Sequence, residues 1–227
     1  MRANLRTSAG VDHLWGQVTT HGRPLDVAAL NAGIGVGGGS FVETDLEAHL
    51  DVIRLNVLGT VHLAKLIVSD MARRGKGRVL ITSSLVAAMP GPYQTTYNNA
   101  SKSFLKSFAE GLQTELRGLL VTVTSLMPGP VETPFFARAG MSDTVLGRAR
   151  KSDPDAVARQ AYHALRRGKR RVVGGFPIQQ GCRGDQHDAA RRGQGTYPGI
   201  PVEPRPEVTH TGKSTAPSAP TMPRQQD

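Results

Sequence analysis

The sequence predicts an α/β fold, a parallel sheet covered by helices on both faces, and three observations carry that expectation. Short β-branched runs alternate with longer stretches of helical period as far as residue 173. The strand-like runs are almost continuously apolar, as strands buried on both faces must be. Beyond Val173 the text turns to Gly, Pro, Ser, Thr, Gln and Arg without any sustained apolar period.

Strands are expected at residues 25–30, 78–82, 120–126 and 171–173. Between the first two, residues 43–74 place Leu46, Leu50, Ile53, Val57, Val61, Ala64 and Val68 at steps of three and four, one apolar stripe on a long helix. A second helix is read over 95–117. A third covers 154–167, with Ser152 or Asp153 as its cap and Pro154 suited to its first turn. Strand alternating with helix implies parallel pairing through right-handed crossovers. One domain is expected over 1–175, followed by a basic, Pro/Gly-rich tail over 176–227 that cannot bury enough apolar surface to offset the entropy of ordering.

The 227 residues are 38% apolar, enough for a core in one or two domains. A single cysteine, Cys182, excludes an internal disulfide, and no Cys/His cluster has zinc spacing. The first residues lack the apolar segment of a secretion signal, and no run approaches the ~18 apolar residues of a membrane span, so a cytoplasmic protein with no membrane partner is expected. Eleven basic and five acidic residues lie from Arg166 onward, a net +6 out of the total of +10. Arg166, Arg167, Lys169, Arg170 and Arg171 could form a basic interaction module, but only Phe176 and Tyr197 interleave with the charge, so specific nucleic-acid binding is not expected.

Gly33-Ile34-Gly35-Val36-Gly37-Gly38 satisfies G-x-G-x-x-G after a predicted strand, the context of a dinucleotide phosphate cradle. Five residues separate its last glycine from the helical pattern, and no acidic residue closes a second strand about 20 positions on. A loop at the carboxyl edge of the sheet is the favoured reading, with the cradle as the alternative.

Four separated stretches and a Pro-Gly turn hold the candidate chemistry. They are Asn31-Ala32-Gly33 after the first strand, Asn56 interrupting the apolar long helix, Thr82-Ser83-Ser84 after the second strand, Tyr97 with Ala100-Ser101-Lys102, and Pro128-Gly129-Pro130-Val131-Glu132-Thr133. A buried amide at Asn56 needs partners. A phenol is a poor base near neutral pH unless a neighbouring ammonium stabilises its anion. In this order the motifs resemble the classical short-chain dehydrogenase/reductases over about residues 1–175.

The resemblance implies a truncated doubly wound, Rossmann-like sheet and an NAD(P)-dependent oxidoreductase. Such an enzyme moves a hydride between nicotinamide and a small-molecule alcohol or carbonyl. It implies Tyr97 as acid/base, Lys102 as its electrostatic partner and ribose contact, Ser84 orienting the substrate oxygen and Asn56 anchoring a proton relay. Asn31, Ala32 and Gly33 would lie along the NAD or NADP, and Pro128, Gly129, Val131 and Thr133 would face its nicotinamide end. A homodimer or homotetramer through the two long helices is a further implication, and Phe135, Phe136 and Met141 fall where a substrate lid is expected. The alternative is a non-catalytic member or the basic interaction module.

Two departures carry expectations of their own. The family pairs its tyrosine and lysine four apart, whereas Tyr97 and Lys102 are five apart. Five steps on a regular α-helix leave side chains about 140° apart, so the pairing requires a π-bulge at Asn98–Asn99 or a later helix start. The family's opening strand and glycine turn have no counterpart after Met1, which implies four strands in place of seven and a pyrophosphate-binding segment that this sequence does not contain.

Overall fold

The computed structural model describes residues 2–37, 40–88, 100–143 and 145–175. The expected tail over 176–227 lies outside them. The element order is α1 (Ser8–Thr20), β1 (Val27–Leu30), α2 (Leu46–Val52), a π-helical stretch (Ile53–Gly59), α3 (Thr60–Arg74), β2 (Lys76–Thr82), a 3-10 turn (Leu85–Ala88), α4 (Lys102–Glu115), β3 (Leu120–Pro128), α5 (Phe135–Arg138), α6 (Val145–Arg148), α7 (Pro154–Arg166) and β4 (Arg171–Gly174). All four expected strands are present. They form one parallel sheet in the order β1-β2-β3-β4, with Ala28 beside Val79 and Val79 beside Val123.

Alternation along the strands divides the core in two. Ala28, Leu30, Val79, Ile81, Val121 and Val123 face Ala64, Ile67 and Met71 of α3 and Leu105 and Ala109 of α4. Helix α1, with Val11 buried and Trp15 against this cluster, packs outside α3. On the opposite face Leu80 and Leu126 meet Val157, Ala161 and Leu165 of α7. Helices therefore cover both faces, but α7 is the main cover on the second, and Val27 on the edge strand is 41% exposed there.

Local chemistry sets the helix ends. Asp153, not Ser152, caps α7, its carboxylate accepting from the N–H groups of Asp155 and Ala156, with Pro154 in the first turn. Thr7 caps α1, a helix the sequence reading did not assign. Gly75 ends α3 at φ +73°, a left-handed conformation that a side chain would oppose.

Residues 46–74 form one continuous helix, long and apolar enough by composition to cross a bilayer, with a window of mean hydropathy 1.4. Its inner stripe instead packs on the sheet. The expected stripe holds in part: Ala64 and Val68 are buried and Leu50, Val57 and Val61 partly so, whereas Leu46 and Ile53 are exposed. The other buried positions are His49, Val52, Asn56, Gly59, Thr60, Ile67 and Met71, so where polar residues face inward, hydrophobicity alone misplaces the stripe.

Met71 is fully buried against this core, and its side chain fills the space a β-carbon on Gly77 would need. Met71→Ala is expected to lower stability by about 2–5 kcal/mol, measured by urea denaturation, because the sheet cannot close onto the cavity left behind.

Candidate active site

Parallel pairing aligns the carboxyl ends of all four strands, so the loops after β1, β2 and β3 meet on one edge of the sheet. There they border a cavity of about 810 Å³. Asn31, Gly33, Thr82, Ser84, Lys102, Pro128, Gly129, Val131 and Thr133 all line it. Ala32 is exposed on the same loop and is not on the cavity wall.

Asn56 sits behind that wall, fully buried in the π-helical stretch. Its carboxamide oxygen accepts from the Ile34 N–H at 2.9 Å, and its Nδ2 donates to the Ile34 carbonyl at 2.9 Å and to Ser101 Oγ at 3.3 Å. The partners that a buried amide requires are thus supplied by two other segments. The wide turn of the π stretch falls where this polar side chain leaves the helix to meet a loop, a placement such turns often have at functional sites.

Lys102 opens α4 and is 4% exposed. Its Nζ donates to the Thr82 carbonyl at 3.0 Å, and its own carbonyl accepts from Ser83 Oγ at 2.7 Å. Burial lowers its pKa from 10.5 to about 8, because desolvation disfavours the ammonium. Gly33 completes the cluster. A β-carbon there would lie 3.2 Å from Asn56 Oδ1 and 3.4 Å from Lys102 Nζ, so a bare α-carbon lets the backbone close onto both groups. Ser84, half-buried, faces the cavity with its Oγ accepting weakly from the Val86 N–H at 3.4 Å.

The structure thus brings Asn31, Gly33, Asn56, Ser84, Lys102 and the Pro-Gly turn to one place. Tyr97, Asn98 and Asn99 lie outside the described residues. Ala100 and Ser101, immediately before α4, are π-helical, and the bulge expected at Asn98–Asn99 lies outside the described residues. Ser83 and Ser101 escaped the sequence reading as site residues. Their adjacency to Ser84 and Lys102 was visible, but burial and hydrogen bonding gave no sequence signal.

A nicotinamide and its ribose suit this donor set. The cavity floor offers an ammonium, a serine hydroxyl and the buried Thr82 Oγ1, which has no hydrogen-bond partner among the described residues. The glycine run is not a cradle at Gly37, where Met141 and two backbone carbonyls fill the space.

A profile described as short chain dehydrogenase matches residues 1–143. Human 17-beta-hydroxysteroid dehydrogenase type 1 is 37% identical over 130 residues, covering 57% of this chain and 39% of that protein. Among solved structures, a short-chain dehydrogenase from Sphingobium yanoikuyae in complex with NADPH superposes with a TM-score of 0.71 at 25% identity, over 84% of this chain and 72% of that one. A short chain dehydrogenase/reductase from Burkholderia phymatum in complex with NAD shares the fold, with a TM-score of 0.69 at 21% identity over 76% and 69% of the two chains. The chain spans about half the length of the curated relatives it matches.

Holding an ammonium in this dry position opposes folding. Because the folded pKa of about 8 lies below the unfolded value of 10.5, the unfolded chain binds more protons between those limits, and the penalty is full below pH 8 and relieved by pH 10.5. The stability of the parent relative to Lys102→Met is therefore expected to rise by about 1–3 kcal/mol between pH 8 and 10.5 in paired urea titrations. A difference that stays flat across that range contradicts this account.

Proposed function

Since the chain belongs to the short-chain dehydrogenase family, we propose that it is an NAD(P)-dependent oxidoreductase acting on an alcohol or carbonyl compound. The observation that carries this reading is the convergence of the Lys102 ammonium and the Asn56 amide on Gly33, beside Ser84, at the carboxyl edge of the sheet. NADPH in the Sphingobium structure and NAD in the Burkholderia structure support the cofactor class.

The cofactor, when bound, supplies or accepts the hydride. Lys102 would serve as the ribose contact, and its ammonium would stabilise the phenolate form of Tyr97. Tyr97 moves the proton at the substrate oxygen, and Ser84 Oγ orients that oxygen. Asn56, with its Nδ2 and Oδ1 occupied by Ile34 and Ser101, fixes the loop behind the relay and does not itself move a proton. Pro128, Gly129, Val131 and Thr133, which line the cavity, would hold the nicotinamide end. Asn31 and Gly33 also line the cavity and would contact the cofactor.

The protein acts in the cytoplasm as a homodimer or homotetramer. Exposed apolar side chains on the long helix and on α4 support self-association: Ile53 is 39%, Leu58 58% and Phe104 41% exposed. A monomer on sedimentation analysis would remove the assembly part of this reading.

Purified protein should quench or enhance nicotinamide fluorescence saturably with NADH or NADPH. Tyr97→Phe and Lys102→Met should each lower kcat/KM by about 100-fold or more. Lys102 is charged only below its pKa of about 8, so the rate should fall as pH rises through that value. No saturable change with either nucleotide defeats the proposal.

A further inference from the structure

Positive charge collects where the strands begin, on the edge of the sheet opposite their carboxyl ends. Asp26 and Asp70 at that edge are taken by Arg73, Arg74 and Lys76. Arg78, Arg117, Arg166, Arg167, Lys169 and Arg171 are all exposed and have no carboxylate partner among the described residues. Residues 166–171 hold five of the six net charges counted from Arg166 onward, so the excess belongs to this edge and not to residues 176–227. Arg166 and Arg167 close α7, where a cation also favours the helix dipole. That account does not reach Arg78 on β2 or Arg171 on β4, and it explains no apolar residue.

An apolar tip projects among these cations. Gly118, at φ +91°, turns the chain from α4 into β3. Leu116 before it is buried in the core, whereas Leu119 is 44% and Leu120 81% exposed. Strand alternation gives Leu120 no reason to be apolar, since Val121 and Val123 face α3 and α4 while Leu120 shares the other face with Thr122. Lys76 stands beside Leu120, and Arg78 beside Thr122, in the parallel register. The turn after α7 packs on the same strand: a β-carbon on Gly168 would lie 3.3 Å from Thr122 Cγ2, and the Lys169 carbonyl accepts from Thr124 Oγ1 at 2.7 Å. The cations at 167 and 169 are thus brought to the strand that carries the leucines. Single exposed apolar residues are ordinary on protein surfaces, but an adjacent pair among unpaired cations is a pattern.

We propose that this edge docks reversibly on an anionic phospholipid bilayer. Leu119 and Leu120 enter the boundary between headgroups and acyl chains, and the surrounding arginines and lysines meet the lipid phosphates. A nucleic-acid duplex would use the cations and leave both leucines in water, whereas a bilayer serves both kinds of residue. The expected absence of a membrane partner rested on the lack of a span, and a surface contact needs none. Neither leucine lines the cavity beside Lys102, so the contact and the site use separate residues.

The test uses the full chain with vesicles of phosphatidylcholine, alone or with about 30% phosphatidylglycerol, read by co-sedimentation. The protein should bind the anionic vesicles and not the neutral ones, and raising NaCl from about 0.1 to about 0.5 M should weaken that binding by about tenfold or more. Arg167→Gln with Lys169→Gln should weaken it by about tenfold, and Leu119→Ser with Leu120→Ser by about fivefold, each pair checked for folding by circular dichroism. Leu120→Trp keeps the tip apolar, and its emission should be quenched by lipids brominated on their acyl chains, beyond the Trp15 signal of the parent. Four results would each overturn the proposal: neutral vesicles bound as tightly as anionic ones, folded leucine variants that bind like the parent, a Leu120→Trp emission that brominated lipid leaves unchanged, or tighter binding to a short DNA duplex at equal phosphate.

Discussion

The side chain of Asn56 pairs with both backbone groups of Ile34 and reaches Ser101, so three segments far apart in the chain meet at one buried amide. An amide removed from water without partners costs roughly 2–7 kcal/mol. Neither the loop after β1 nor the start of α4 can move away without exposing that cost. The constraint also accounts for Gly33, since the same pairing draws the loop so close that a side chain would press on Asn56 and Lys102. The π stretch belongs to this arrangement. It lets one helix run on from Leu46 to Arg74 while it presents an amide to the loop at the level of the strand ends.

What Asn56 does for geometry, Lys102 does for electrostatics. Its Nζ donates to the Thr82 carbonyl at 3.0 Å, a contact that orients the ammonium. Burial then pushes the pKa toward the working range of a proton relay, the direction in which catalytic sites are commonly tuned. The hydroxyl of Ser83 fixes the backbone of the same residue. Stability is given up for charge held out of water, where electrostatic interactions are screened least.

The strands were legible because 78–82 and 120–126 are short, rich in β-branched residues and bounded by longer helical patterns, which favours buried strands over helix at that length. The long helix was legible in its existence and, at Ala64 and Val68, in its inward face, but not in its first turns, where Leu46 and Ile53 are exposed. His49 and Asn56 face inward because each finds a polar partner, Thr44 for the one and Ile34 with Ser101 for the other, and a hydrophobic stripe cannot register polar residues that are buried by pairing. Helix α1 left little sequence signal because only Val11 in it is buried, too few inward residues to mark an apolar stripe. Asn56 and Lys102 were found through motif order. Ser83 and Ser101 were not, since their roles arise from contacts across 19 and 45 residues of sequence.

The glycine run shows most directly where pattern and physics part. G-x-G-x-x-G records missing β-carbons and says nothing of what enters the space. At Gly33 the neighbours are an amide oxygen and an ammonium, the surroundings of a polar site. At Gly37 they are a thioether chain and two carbonyl oxygens, the surroundings of chain packed on chain. A phosphate needs N–H groups converging on it, usually at a helix start, whereas here the run is followed by turns and by a helix that Asp45 already caps. One spacing thus serves two unrelated close approaches, and the polarity of the neighbouring atoms, not the count of glycines, separates a ligand's place from a loop's.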